Sequence, residues 1–153
     1  MGCPMTSNDL YDDDILWWSE RQAELLRRVA AGETPNEAPD WNNIIDEVES
    51  LGRSETRACT SALVQMLLHE LKLAAWPNST AVPGWRDEVS MRRMEAADAF
   101  APSMRRKIAV ADLFARALHE FRKMPATIDG LAPLPVPETC ERTLDGLLAD
   151  PQG

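Results

Sequence analysis

Two ionisable side chains share an apolar helix arc in this sequence, and both need partners if that arc is buried. Over residues 53–75, Ala58, Ala62, Met66 and Leu73 recur at helical spacing and define an apolar face. Glu55 and His69 fall in the same arc of the helical wheel. Burying a neutral polar group without a hydrogen bond costs roughly 1–3 kcal/mol, so each is expected to find a partner. They cannot serve each other, because at 1.5 Å per residue the helix between positions 55 and 69 holds them about 21 Å apart. Two separate polar sites are therefore expected. Arg92 or Arg93 is the natural donor for Glu55. His69 would meet His119 or Glu120, or the hydroxyl of Tyr11.

Two readings of chemistry follow. His69 and His119 with a carboxylate would suit a transition metal. An enzyme of unfamiliar type would centre on His69, with Glu55 or Glu70 and an arginine from the segment holding Arg92 and Arg93. Against both stands the commoner case, a hydrogen-bonded structural histidine and a carboxylate in a buried salt bridge or facing an interface. The usual signatures are missing: there is no GxSxG, Walker-type GxxxxGK[ST], HExxH or GxGxxG. No Glu-x-x-His pair is present for a di-iron bundle, and two histidines cannot build a three-histidine zinc site. No cofactor is expected.

Cysteines and tryptophans add weaker signals. Cys3, Cys59 and Cys140 are odd in number and widely spaced, which reads as reduced thiols rather than a disulfide framework or zinc site. Cys140 falls where a last helix would start, and a helix N-terminus lowers a thiol pKa, so a reactive cysteine is conceivable there. Of five tryptophans, Trp18 and Trp41 fit core stripes, whereas Trp76 and Trp85 flank a loop and could cover a helix end or wall a pocket.

The elements that must position these groups are helical. Residues 1–8 lack a pattern and are expected to be a disordered leader, with a single helical domain over 9–150. Asp12, Asp13 and Asp14 mark a helix start; Ile15, Trp18, Leu25, Leu26 and Val29 follow, and Gly32 ends the run. Asp40 is a good N-cap for the next helix. Its stripe, Trp41, Ile44, Ile45, Val48 and Leu51, stays in phase across Gly52 with Ala58, Ala62, Leu63 and Met66. One long second helix, 41–75, is therefore expected, bent if anywhere at Gly52 and stopped by Pro77. Trp85, Val89, Ala96 and Phe100 mark a third helix. Pro102 opens a fourth that runs through Phe121, and Leu144, Leu147 and Leu148 mark a short last helix over about 139–148. Four prolines between 125 and 137 predict an extended strap. No strand signal competes. The expected fold class is all-α, a small bundle of about five helices.

Charge bounds the partners. The chain carries a net −9, and residues 1–50 alone hold twelve acids against three bases. An acidic surface argues against nucleic acid. No apolar run approaches the roughly 20 residues that span a bilayer, and no secretory leader is evident, so a cytoplasmic protein that binds no membrane is expected. The start Met1-Gly2-Cys3-Pro4-Met5-Thr6 formally fits N-myristoylation, although so short a pattern occurs by chance. Arg92-Arg93 and Arg105-Arg106-Lys107 read as solvated helix faces, with an anionic partner as the alternative.

Several segments carry a family resemblance. Tyr11-Asp12-Asp13-Asp14 with Trp18, the stretch Asp40 to Glu55, Leu67 to Lys72 followed by Trp76-Pro77, Trp85 with Arg92-Arg93, and Pro137 to Cys140 with Thr143-Leu144 and Leu147-Leu148 occur in that order. Together they resemble the bacterial "domain of unknown function 29" family over about residues 9–150. The resemblance implies a bacterial, all-helical, cytosolic protein and implies no activity. By elimination, the expected role is a non-catalytic protein-interaction module that binds an unknown protein partner or a second copy of itself. The alternatives are the enzyme and the metal-binding protein centred on His69.

Overall fold

The computed structural model describes residues 7–149. The myristoylation pattern and most of the expected leader lie outside them. Among the described residues, six α-helices form: α1 Ser7–Asp13, α2 Ile15–Ala30, α3 Trp41–Ala75, α4 Val82–Ala99, α5 Val110–Phe121 and α6 Leu144–Leu148, with a 3-10 turn at Pro102–Arg106. No named strand occurs among the described residues; one isolated bridge pairs Ile128 with Leu131. The fold is all-α. The long helix is the third rather than the second, because a helix precedes the expected first one. Asp14 separates these two: its backbone N–H still bonds to Leu10 O, while its carboxylate accepts from Trp17 N at 3.0 Å and caps α2.

The chain forms two compact units, one ending at Arg53 and the other starting at Ser54. The first holds α1, α2 and the opening turns of α3. Its interior is small: Trp18 and Leu25 are buried, and so is Gln22. The polar groups there are satisfied around Asp40. Trp18 Nε1 donates to the Asp40 carboxylate at 3.1 Å, Asp40 N donates to Gln22 Oε1 at 2.8 Å, and Asn43 Nδ2 donates to Asp40 at 2.8 Å. Tyr11 packs edge-on against Trp18 at 4.9 Å and donates its hydroxyl proton to Glu47 at 2.6 Å. That bond to a carboxylate holds the phenol protonated and raises its pKa. Gly32, at φ 81°, closes α2 in a conformation that side chains with a Cβ avoid.

The second unit has the larger core. Cys59, Leu63, Met66, Leu67 and Leu71 of α3 pack with Val89 and Ala96 of α4, with Met104 and Ile108, with Leu113, Phe114, Ala117 and Leu118 of α5, and with Leu147 of α6. The fourth expected helix is split. Residues 102–106 wind as the 3-10 turn, and α5 starts only at Val110. Trp76 is 2% exposed, donates its indole N–H to Leu131 O at 2.9 Å, and packs on Trp85 and Phe121. Asp129 and Gly130 both take positive φ, the requirement of a tight two-residue turn, and this turn closes the Ile128–Leu131 bridge. Asp129 ties the turn to the loop after α3 by accepting from Ser79 Oγ, Thr80 N and Thr80 Oγ1 at 2.7–2.9 Å. Leu134 N donates to Ala75 O at 2.8 Å, and Val136 and Cys140 pack against the core.

Candidate functional site

The structure separates most of the residues singled out by spacing. Glu55 is exposed rather than turned inward, and neither Arg92 nor Arg93 reaches it. Its phase on the helix is apolar, but burial on that face begins only at Cys59, one turn later. Ala58 is exposed for the same reason. His69 is half-buried, and its partner is its own helix: Nδ1 lies 2.7 Å from Gln65 O. Burial lowers the His69 pKa, the Gln65 carbonyl partly opposes this, and nearby Lys72 adds to the lowering. None of the three expected partners meets it. Tyr11 is engaged by Glu47, Glu120 pairs with Lys123, and His119 lies exposed on α5. Among the described residues, no three His, Cys, Asp or Glu side chains gather as a metal site would need. The metal reading is left without a ligand set.

Two of the chosen residues do meet. Arg93 Nη2 donates to Glu70 Oε1 at 3.3 Å, and Arg93 Nε donates to the buried carbonyl of Leu147 at 3.3 Å. Arg142, which the spacing did not single out, completes the cluster by donating from Nη1 to the other Glu70 oxygen at 2.8 Å. One carboxylate thus joins α3, α4 and the segment before α6. Arg92 instead bridges Glu88 and Glu95 along α4. Arg105 pairs with Asp145 and lies over the Phe100 ring. With every guanidinium of the Glu70 cluster engaged, this is a clamp that holds elements together rather than an open acid–base centre.

Cys140 is likewise not placed for nucleophilic chemistry. The last helix begins at Leu144, capped by Thr143, whose hydroxyl accepts from Gly146 N at 3.1 Å. Cys140 lies four residues before that helix rather than at its start. It edges a shallow cleft of about 240 Å³ floored by Leu67, Leu71 and Phe114. Cys59 is fully buried near Ala96 O, and burial pushes its thiol pKa up.

The unexpected surface lies in the first unit. Trp41, Ile45 and Val48 occupy one face of α3 and are 48%, 53% and 64% exposed. Leu51 extends this face, and Ile15, Leu16 and Trp17 of α2 are also exposed. Trp41 was expected in the core; its stripe is apolar but uncovered. Asp12, Asp13, Glu20 and Asp46 of the same unit are exposed and form no ion pair among the described residues. The unit's four arginines are each taken by a glutamate, Arg21 by Glu37, Arg27 by Glu24, Arg28 by Glu33 and Arg53 by Glu49.

Comparison with known proteins places this architecture. The family described as "Domain of unknown function DUF29" matches residues 10–151. The chain belongs to the DUF29 family. Its fold is also that of a crystal structure of an alpha-helical protein of unknown function from Rhodospirillum rubrum. The two are 24% identical, the alignment covers 92% of this chain and 90% of that one, and the TM-score is 0.68. No curated protein matches the chain. The solved neighbour shares the fold of this DUF29 protein, and neither it nor the family description names an activity. No helix among the described residues is long and apolar enough to cross a membrane.

Proposed function

We propose that this DUF29 protein is a non-catalytic protein-interaction module whose working surface is the first unit. One observation carries the reading: Trp41, Ile45 and Val48 line one face of α3 and stand about half or more exposed. Single exposed apolar residues are ordinary, whereas a contiguous run of large ones marks an interaction surface. A tryptophan flanked by aliphatic side chains has the composition of an interface core. The polar cluster at Glu70 has structural partners on every charged group, which favours a supporting role for the second unit.

The test compares proteins retained by the full chain and by its Ile45→Asp variant, after circular dichroism shows equal helix content. A protein held by the parent and released by Ile45→Asp supports the reading. Identical retained sets for the two would sink it.

A further inference from the structure

We infer that the apolar face of α3 in the first unit docks a basic amphipathic helix of a partner protein. This rests on the proposed interaction role and adds the chemistry of the occupant.

The apolar half of the argument is the helix itself. Trp41, Ile45 and Val48 follow the i, i+4, i+7 rule of a face that packs against another helix. In phase they continue the stripe that includes Cys59 and Met66, and those two are fully buried in the second unit. The same pattern that recruits helices there has no cover at 41–48. A helix with large apolar side chains at matching intervals fits it, as in helix-in-groove recognition.

The charged half decides which helix. Residues 1–53 carry twelve acids against four arginines. All four arginines are ion-paired within the unit, so none is left to meet an acidic partner. Asp46 sits beside Ile45 on α3, and Glu20 follows Leu16 and Trp17 by one helical turn on α2. The exposed, unpaired Asp46 beside Ile45, together with the unit's excess of acids, favours lysines or arginines on the incoming helix. A second copy of the chain would set carboxylates against carboxylates, and like charges across an interface oppose binding.

The test titrates the full chain into a labelled synthetic peptide with leucines at helical i, i+3, i+4, i+7 spacing and lysines elsewhere. Two controls accompany it: the same leucines with glutamates, and a shuffled leucine–lysine peptide without an apolar face. The leucine–lysine helix is expected to bind at least about tenfold tighter than either control, with affinity falling as salt rises. Ile45→Asp and, separately, Val48→Asp are expected to weaken it about tenfold or more, although each adds a negative charge. Met94→Asp, on the exposed side of α4 in the second unit, is expected to leave it unchanged. Equal binding by Ile45→Asp, or equal binding of the shuffled peptide, would show charge adsorption only and overturn the inference. Sedimentation of the chain alone adds the competing outcome. A dimer that Ile45→Asp dissociates overturns the basic-helix occupant and leaves the interaction role standing. A monomer that binds no peptide, with no protein lost from the retained set of Ile45→Asp, removes both.

Discussion

Glu70 on α3 accepts a hydrogen bond from Arg142 at 2.8 Å across 72 residues of chain, while its other oxygen receives the buried Arg93. The two arginines depend on Glu70 differently. Arg93 has only about a tenth of its side chain exposed, and Arg142 about two-fifths. Removing the shared acceptor leaves the buried Arg93 guanidinium with only the Leu147 carbonyl, whereas removing the outer donor leaves a carboxylate that is about a quarter exposed and still paired with Arg93. Glu70→Ala is therefore expected to cost roughly 2–3 kcal/mol, less than a fully buried pair because Glu70 is partly exposed, and Arg142→Ala about 0–1 kcal/mol. Glu70→Gln keeps an acceptor without the charge and should fall between them. Urea denaturation of the three variants checks the order. Equal losses for Glu70→Ala and Arg142→Ala would mean that Arg93 does not need the carboxylate.

His69 gives a pH dependence with a definite sign. Its folded-state pKa lies below the ordinary imidazole value, chiefly through burial, with Lys72 and Arg92 opposing protonation and Glu88 favouring it. As pH falls below about 6.5, the unfolded chain takes up the proton before the folded one. Stability is thus expected to decline from that pH until the folded pKa is passed. His69→Gln should flatten this part of the curve. Melting temperatures of parent and variant between pH 7.5 and 5 read the difference, and parallel curves would show that His69 does not contribute.

Asp129 should behave in the same sense at lower pH, because its folded-state pKa is also lowered. Its three hydrogen bonds, led by that from Ser79, hold its carboxylate below the usual range. The stabilisation is present above the ordinary aspartate pKa and is lost as pH falls through the lower folded value. Asp129→Ala removes the acceptors and leaves a Cβ at φ 52°. Asp129→Gly removes the acceptors but accepts the backbone angle. Both should lower Tm, Asp129→Ala by more. A smaller drop for Asp129→Ala would show that the backbone angle adds no strain. Thermal unfolding at neutral pH ranks them.

Local rules made much of this fold readable, and their limits explain what was missed. Gly32, Asp40 and Pro77 bound helices through backbone and capping chemistry that acts within a few residues, so the span 41–75 followed from the sequence. Periodicity names the apolar face of a helix but not what lies against it. That is why Trp41 and Glu55, both in phase with the core, read as interior positions and are found exposed. Glu70 meets Arg142 only through tertiary structure, and no spacing signals it. The Asp129-Gly130 pair is a turn signal, but no strand pattern flanks it in the sequence to make a hairpin of it.

Gly52 allows a final test of α3. The helix runs unbroken through it, its φ is not positive, and a Cβ built there meets nothing within 4 Å. Glycine inside a helix is less favourable than alanine by about 0.5–1 kcal/mol, because the unfolded chain loses more freedom on folding. Gly52→Ala should therefore raise stability by about that amount, seen as a higher denaturation midpoint with an unchanged slope. It should also leave the exposed face at Trp41, Ile45 and Val48 intact, so peptide binding should persist. Destabilisation would instead require that α3 open or bend at position 52 in the working protein. In that case the stripe at 41–48 and the stripe from Cys59 onward would no longer be one continuous helix face.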